Sequence, residues 1–554
     1  MPQTYDYDAI VVGGGHNGLA CAGYLARAGL RTLVLERRPI VGGAVVTEEM
    51  IPGYRIDVGS SAHIMIRLTP VIRDLELEKH GLEYCDMDPY AFHPLIDGSG
   101  AIGLYRSVER TCESIATVSP RDAESYRRFV EEWRPLNEAI FETFLNPPSF
   151  TDLVGRMARV QMRQGGLGGT METVRKLMTS YGQLITESFE SEPMRGFMAW
   201  LGAQSGPPPD EIASGDHFGW YAMMHQSGAA HPKGGSGMLT QAMARSLVAA
   251  GGEVRLDAPV RRILVRGGKV QGVELASGAQ VSAPLVVSNA HVVTTMLDLV
   301  GEEHLPAGLG RRVRNIRIGN GFGMTVRCAA EELPDYPGFP SGGRPNESHH
   351  GLQMLSPSLE YLRNAFADYS RGLPSREPPI IAMTFSAIDP TVAPEGKHTV
   401  FIWAQYFPYE LAGGQQWDDI RESVADNILE VLYRYAPNMR GKIIDRFIQT
   451  PLDLERRLGL LRGNVMHVEM SFDQMFMFRP LPELSQYRTP VGGLYLTGAS
   501  THPGGGVFAA SGYNTARTVL GDRMGRRRLW VGAGLAAGVA AGVAAAAARR
   551  RGGE

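Results

Sequence analysis

The sequence predicts an α/β fold: a discontinuous Rossmann-type domain drawn from the start, middle and end of the chain, with a mixed α+β domain between. Three observations carry this. A short apolar run leads into Gly13, Gly15 and Gly18, a complete GxGxxG. A second apolar run ends at Glu36 and is followed by the pair Gly42-Gly43. Near the C-terminus another apolar run meets Gly498 and the triplet Gly504-Gly505-Gly506 just before a helical pattern.

Asp8 to Val12 is uncharged after its first residue and reads as a buried strand. A helix is expected over about 18–28, ending at Gly29, and a second strand over 31–35. Glycines at 13, 15 and 18 permit a tight turn and a close backbone approach to a pyrophosphate, which the helix N-terminus then stabilises. Glu36 is placed to accept hydrogen bonds from ribose hydroxyls and to repel a 2′-phosphate. Gly42 and Gly43, within Arg38-Pro39-Ile40-Val41-Gly42-Gly43-Ala44, let the backbone pass an extended cofactor; this separates FAD from NAD, with Thr47 spaced for a polar contact. At the far end, 492–497 reads as a strand and 509–518 as a helix. Its glycine-preceded N-terminus, with Gly498, Gly505 and Val507 nearby, suits the polar edge of a flavin ring.

Between these sites the patterning changes twice. Ser119-Pro120 is a helix start with Ser as N-cap, and Tyr126, Phe129, Val130 and Trp133 form one apolar face. Helical patterning covers most of 106–200, with breaks expected at 146–148 and 165–169. A hairpin is expected from 260–265 and 270–275 around Arg266-Gly267-Gly268-Lys269, then a buried strand at 285–288. Residues 301–480 mix short strands and helices. The expected division is 1–85, 225–300 and 485–525 for the FAD-binding domain, 86–224 and 301–484 for the substrate domain, and 526–554 for a tail.

Composition narrows the function. Of 554 residues, 44% are hydrophobic and 20% charged, which argues against wholesale disorder. A net charge of −3 gives no basic field for nucleic acid. The four cysteines form no CxxC pair, His349-His350 reads as a surface or loop pair, and neither HExxH nor GxSxG occurs, so no metal site is expected. Sparse cysteines fit a reducing, cytoplasmic compartment, and the N-terminus lacks signal-peptide character. Leu529 to Ala548 is an uncharged Ala/Gly run flanked by arginine triplets, about 30 Å long as a helix. It reads equally as a membrane anchor or a loosely helical tail. Arg156, Arg159 and Arg163 lie at helical spacing beside apolar residues, suited to an anionic membrane surface or to an ordinary amphipathic helix.

The glycine sites resemble the FAD-binding sequence of the amine oxidase and phytoene desaturase superfamily, as does Pro232 to Gly237. Narrower runs are similar to the FAD-dependent bacterial β-carotene ketolases of the desaturase-like type: Tyr54 to His63, Ala203 to Pro208, Gly463 to Met475 and Leu496 to Gly506. The same features resemble the broader family named for a pyridine nucleotide-disulphide oxidoreductase domain. The resemblance spans about residues 6–520; Phe508 is bulkier than its pattern suggests. It implies FAD as cofactor, a backbone contact from Val260 to the adenine end, and an apolar substrate, a carotenoid, losing hydride from an activated C–H beside a polyene. It also places His63, Arg67 and His502 nearest the flavin as catalytic candidates; the alternative is that they support loops. A desaturase, an FAD enzyme of another apolar or amine substrate, and a flavin-free prenyl-binding protein of the same fold remain open beside ketolation.

Overall fold

The computed structural model describes residues 4–164 and 166–525, with side chains outside 161–168. The tail 526–554, with its 529–548 apolar run, and the Arg163 side chain lie outside the described residues.

A five-stranded parallel sheet forms the first layer. Its order is Leu494–Leu496, Val286–Ser288, Ala9–Val12, Thr32–Leu35 and Glu253–Arg255. Strands covered on both faces read as continuous apolar runs rather than alternating ones, and the first four are fully buried. The helix His16–Arg27 packs on this sheet and against the helix Met238–Ala249, its Leu19, Cys21 and Leu25 inside the core. A terminal helix over 510–525 covers the same side.

The expected hairpin is Val260–Arg266 with Lys269–Leu275, extended by Gln280–Ser282. Arg266 pairs with Lys269, so only Gly267 and Gly268 turn, both at positive φ (57° and 69°). Two successive residues at positive φ match the right-handed twist of the flanking strands and call for glycine.

The second domain is built on a seven-stranded mixed sheet ordered Ile443–Gln449, Met324–Ala330, His398–Ala404, Ile380–Met383, Leu352–Leu355, Ala91–Pro94 and Ala101–Leu104. All neighbours are antiparallel except Leu352–Leu355 with Ala91–Pro94. Helices over 108–227 pack into one large core with this sheet, and the helix Trp417–Tyr435 joins a second. The helix Pro120–Phe144 starts as its sequence dictates: Ser119 accepts from the Asp122 N–H at 3.2 Å, and Tyr126, Phe129, Val130 and Trp133 are buried.

The helix Phe150–Gln164 ends and the helix Gly166–Met178 begins at the expected 165–169 break, with Gly168 and Gly169 inside the second helix. One local expectation is corrected. His349 is buried: Nδ1 accepts from the Asn346 N–H and Nε2 donates to the Pro334 carbonyl, forming a capping box. Among the described residues no helix is long and apolar enough to cross a membrane.

Replacing Ser119 by Ala removes the cap that starts the Pro120–Phe144 helix. Urea unfolding of that variant is expected to show a loss of about 1 kcal/mol, the ordinary worth of a Ser N-cap.

Candidate active site: a glycine-walled cleft meeting an apolar chamber

A cleft of about 1420 Å³, including its open mouth, runs along the C-terminal ends of the parallel strands. Gly13, Gly15, Glu36, Gly42, Gly43, Val260, Asn289, His467 and Ala499 are among its walls. The glycines are sterically required. A Cβ on Gly18 would lie 2.3 Å from the Gly13 carbonyl oxygen, and one on Gly15 would lie 2.8 Å from Asn289 Nδ2. Asn289 follows the strand Val286–Ser288 and donates from Nδ2 to the Gly13 carbonyl at 3.3 Å. A Cβ on Gly498 would meet its Oδ1 at 2.9 Å.

The helix His16–Arg27 opens on this cleft with no side-chain cap and no acidic residue in its first turn. Its first N–H groups are left for an anion, the arrangement that binds phosphate. Glu36 Oε2 accepts from the Gly14 N–H at 2.8 Å and Oε1 from the Arg38 N–H at 2.9 Å. These bonds hold the carboxylate at the cleft wall, where its free lone pairs suit hydroxyl donors. The set fits an extended dinucleotide.

A second cavity of about 960 Å³ is apolar over most of its wall. Five methionines (Met65, Met224, Met466, Met470 and Met475) and Phe144, Trp220 and Phe508 line it, with Pro503, Gly505, Gly506 and Val507 at one side. Phe508 stacks on Phe144 with centroids 6.0 Å apart, so its bulk completes the aromatic wall. Cleft and chamber meet at a seam. Met466 and His467 are consecutive residues, the first facing the chamber and the second the cleft.

Arg479 braces the seam. It is fully buried and donates to five backbone carbonyls: Met466, Val468, Glu469, Gln474 and Ala499. Burial pushes its guanidinium down to about 9, so it stays charged at neutral pH. Burial likewise keeps the seam histidines neutral. His16 and His291 are pushed down to about 4, and His467 well below the usual imidazole range, with His291 and Arg479 adding to burial.

Several residues singled out in the sequence lie elsewhere. Thr47 does not face the cleft: its hydroxyl donates to Asp57 Oδ1 at 2.7 Å and accepts from the Gly237 N–H at 2.8 Å, tying the strand Thr47–Ile51 to the Pro232–Gly237 turn. Gly18 and Gly498 act one layer behind the cleft wall, by the close approaches described. His63, Arg67 and His502 line neither cavity. His63 is buried between Tyr84 OH and Ser236 Oγ, both at 2.9 Å. Arg67 turns outward to Asp86 at 2.9 Å. His502 Nε2 donates to the Thr143 carbonyl at 3.1 Å. A motif position fixes where a residue sits along the chain, not which way its side chain points. Sequence reasoning missed His16, Asn289, His467 and Arg479 at the seam and Asp216 and His217 in the chamber. Only Asn289, ending a predicted buried strand, carried a usable signal.

Residues 18–326 match the model of the family described as flavin containing amine oxidoreductase. The chain is 35% identical to a pyridine nucleotide-disulfide oxidoreductase domain-containing protein 2 from Rattus norvegicus, over 93% of this chain and 94% of that protein. It is 27% identical to a lycopene-forming phytoene desaturase of Pseudescherichia vulneris, over 93% of this chain and 99% of the other. Among solved structures, an oxidoreductase from Methanosarcina mazei superposes with a TM-score of 0.59 at 17% identity, covering 92% of this chain and 99% of that one.

Two outcomes follow from this geometry. Gly18→Ala drives a methyl into the Gly13 carbonyl, so flavin absorbance per purified chain is expected to fall about tenfold or more, equivalent to ~1.4 kcal/mol of binding. Histidines buried neutral also set an acid limit. With unfolded values near 6.5 and folded values of about 4 for His16, His291 and His502, the unfolded chain binds more protons in between. Stability is full above about pH 6.5 and is lost as pH falls towards 4. Thermal midpoints at pH 7, 6 and 5 should drop in that order; a flat series contradicts it.

Proposed function

The chain belongs to the flavin containing amine oxidoreductase family, and on that premise we propose that it oxidises an allylic C–H of an apolar polyene, in its fullest form carotenoid ketolation at an allylic ring carbon. The cofactor is FAD. When bound, FAD supplies two-electron oxidation by taking up a hydride.

The chain's own residues do the rest. Gly13 and Gly15, with Gly18 packed behind them and the uncapped helix at His16, cradle the pyrophosphate, and Glu36 receives the ribose hydroxyls. Val260 lines the same cleft as Gly42 and Gly43; the glycine pair lets the cofactor pass, and the Val260 backbone contacts its adenine end. Gly498 sets the turn into Ala499, while Gly505 and Val507 face the chamber beside the seam, where the ring belongs.

The observation that carries the reading is the chamber itself: a cavity of about 960 Å³, walled by methionine and aromatic side chains, touching the Gly505–Val507 segment. Each Å² of apolar substrate buried there is worth ~25 cal/mol, and methionine adapts to an elongated, irregular shape. Hydride loss from a carbon beside a polyene leaves a charge the conjugated chain spreads, so positioning matters more than a strong acid. Desaturation is the second reading, favoured by the full-length similarity to a phytoene desaturase.

A polyene substrate implies a protein working at a membrane; the sparse cysteines support a cytoplasmic location, and the net charge of −3 offers no basic field for nucleic acid. Exposed Met171, Val174 and Met178 at helical spacing, with Ile212 next to Ala213 whose N–H bonds the Met178 carbonyl, support such contact. Arg156 does not add to it, because it folds back onto Glu142 and Asp152.

Mass spectrometry of pigments from cells that make β-carotene, and from cells that make phytoene, tests the proposal when this chain is expressed. Products that gain oxygen and lose hydrogen support ketolation, and loss of hydrogen alone supports desaturation. Unchanged pigment in both hosts contradicts the polyene reading.

A further inference from the structure

The apolar chamber has one polar corner, formed by Gln204, Ser205, Asp216 and His217. Asp216 and His217 stand in the first turn of the helix Gly215–Ser227, and Trp220 and Met224 continue the same wall at helical spacing. Gly215 fixes where this helix begins, since a Cβ there would lie 1.9 Å from the Lys176 carbonyl oxygen. Asp216 and His217 are 9% and 5% exposed.

His217 Nε2 lies 3.3 Å from the Met470 carbonyl oxygen. A carbonyl only accepts, so Nε2 carries the proton and the neutral ring keeps its lone pair on Nδ1. Among the described residues Nδ1 makes no hydrogen bond, and His217 lines the chamber. Asp216 Oδ1 is 4.0 Å from His217 Nε2 and makes no shorter polar contact among the described residues. A carboxylate in an apolar wall is unfavourable unless it meets a positive charge. Met470 also connects this corner to the seam, because a Cβ on Gly504 would lie 2.9 Å from its Sδ.

We propose that His217 is the proton acceptor for oxidation in the chamber, its ring oriented by the Met470 carbonyl, and that the Asp216 carboxylate stabilises the imidazolium it becomes. This rests on the flavin-dependent oxidation proposed above. One C–H bond of the substrate breaks as hydride leaves to oxidised FAD, which is reduced by two electrons. A C–H bond on the neighbouring carbon breaks as its proton passes to His217 Nδ1, and the electron pair left behind forms the new C=C bond. At an oxygenated carbon the proton comes from O–H instead, and the pair forms C=O. Either way the imidazolium faces the Asp216 carboxylate.

The test uses the purified, flavin-loaded chain and diethyl pyrocarbonate, which acylates neutral imidazole nitrogen, with modification located by peptide mass spectrometry. His217, which lines the chamber, is expected to be modified. In Asp216→Asn, which removes the charge favouring imidazolium, it is expected to react about twofold faster at pH 6. His217→Gln should keep wild-type flavin absorbance yet convert pigment about a hundredfold more slowly, the ordinary worth of a general base. The proposal is overturned if His217 stays unmodified while exposed His304 reacts, if its rate is the same in Asp216→Asn, or if wild-type protein converts pigment and His217→Gln converts it at the same rate. If wild-type protein alters neither pigment but His217 reacts as stated, the polyene reading fails and the proton acceptor is supported.

Discussion

Everything at this site depends on one crowded point, the side chain of Asn289 among glycines. Gly13, Gly15, Gly18 and Gly498 come from the two ends of the chain, and a Cβ at any of them would come within 3.6 Å of that amide. The end strands Ala9–Val12 and Leu494–Leu496 flank Val286–Ser288 in the sheet, so Asn289 emerges between their C-terminal ends. Ligands of open α/β sheets bind outside those ends. Removing side chains there brings three backbones together and leaves the uncapped helix start facing a cleft rather than a packed wall.

The second constraint is electrostatic. Arg479 spends its donors on five carbonyls of the 466–474 and 499 segments, which fixes Met466 towards the chamber and His467 towards the cleft. Around it His16, His291 and His467 stay neutral because burial disfavours their charge, and the Arg479 guanidinium adds to this at His291 and His467. Among the described residues, the seam therefore holds the fixed cation of Arg479 beside neutral imidazoles. The chamber beyond it is apolar except at the corner of Gln204, Ser205, Asp216 and His217. Positioning and electron uptake lie on one side, proton uptake on the other.

The sheet was legible because a buried parallel strand is written locally, as an uninterrupted apolar run, and because glycine marks the turns that follow it. The hairpin at Gly267-Gly268 and the cap at Ser119 were legible for the same reason. The chamber was not. Its walls come from 62–65, 144, 201–224, 466–475 and 503–508, segments that only tertiary packing assembles. Direction was equally hidden. His63 and Ile64 are neighbours in sequence, yet Ile64 lines the chamber while His63 binds Tyr84 and Ser236 behind it. Thr47 stands near the glycine pair in sequence, but strand pairing turns its hydroxyl to Asp57.

The most direct test of this account is a crystal structure of the chain with FAD bound. The account predicts the isoalloxazine ring at the seam, bordered by His16, His467 and the Gly505-Gly506 backbone, with one face open to the methionine-lined chamber. A ring lying elsewhere in the cleft, or walled off from that chamber, would contradict it.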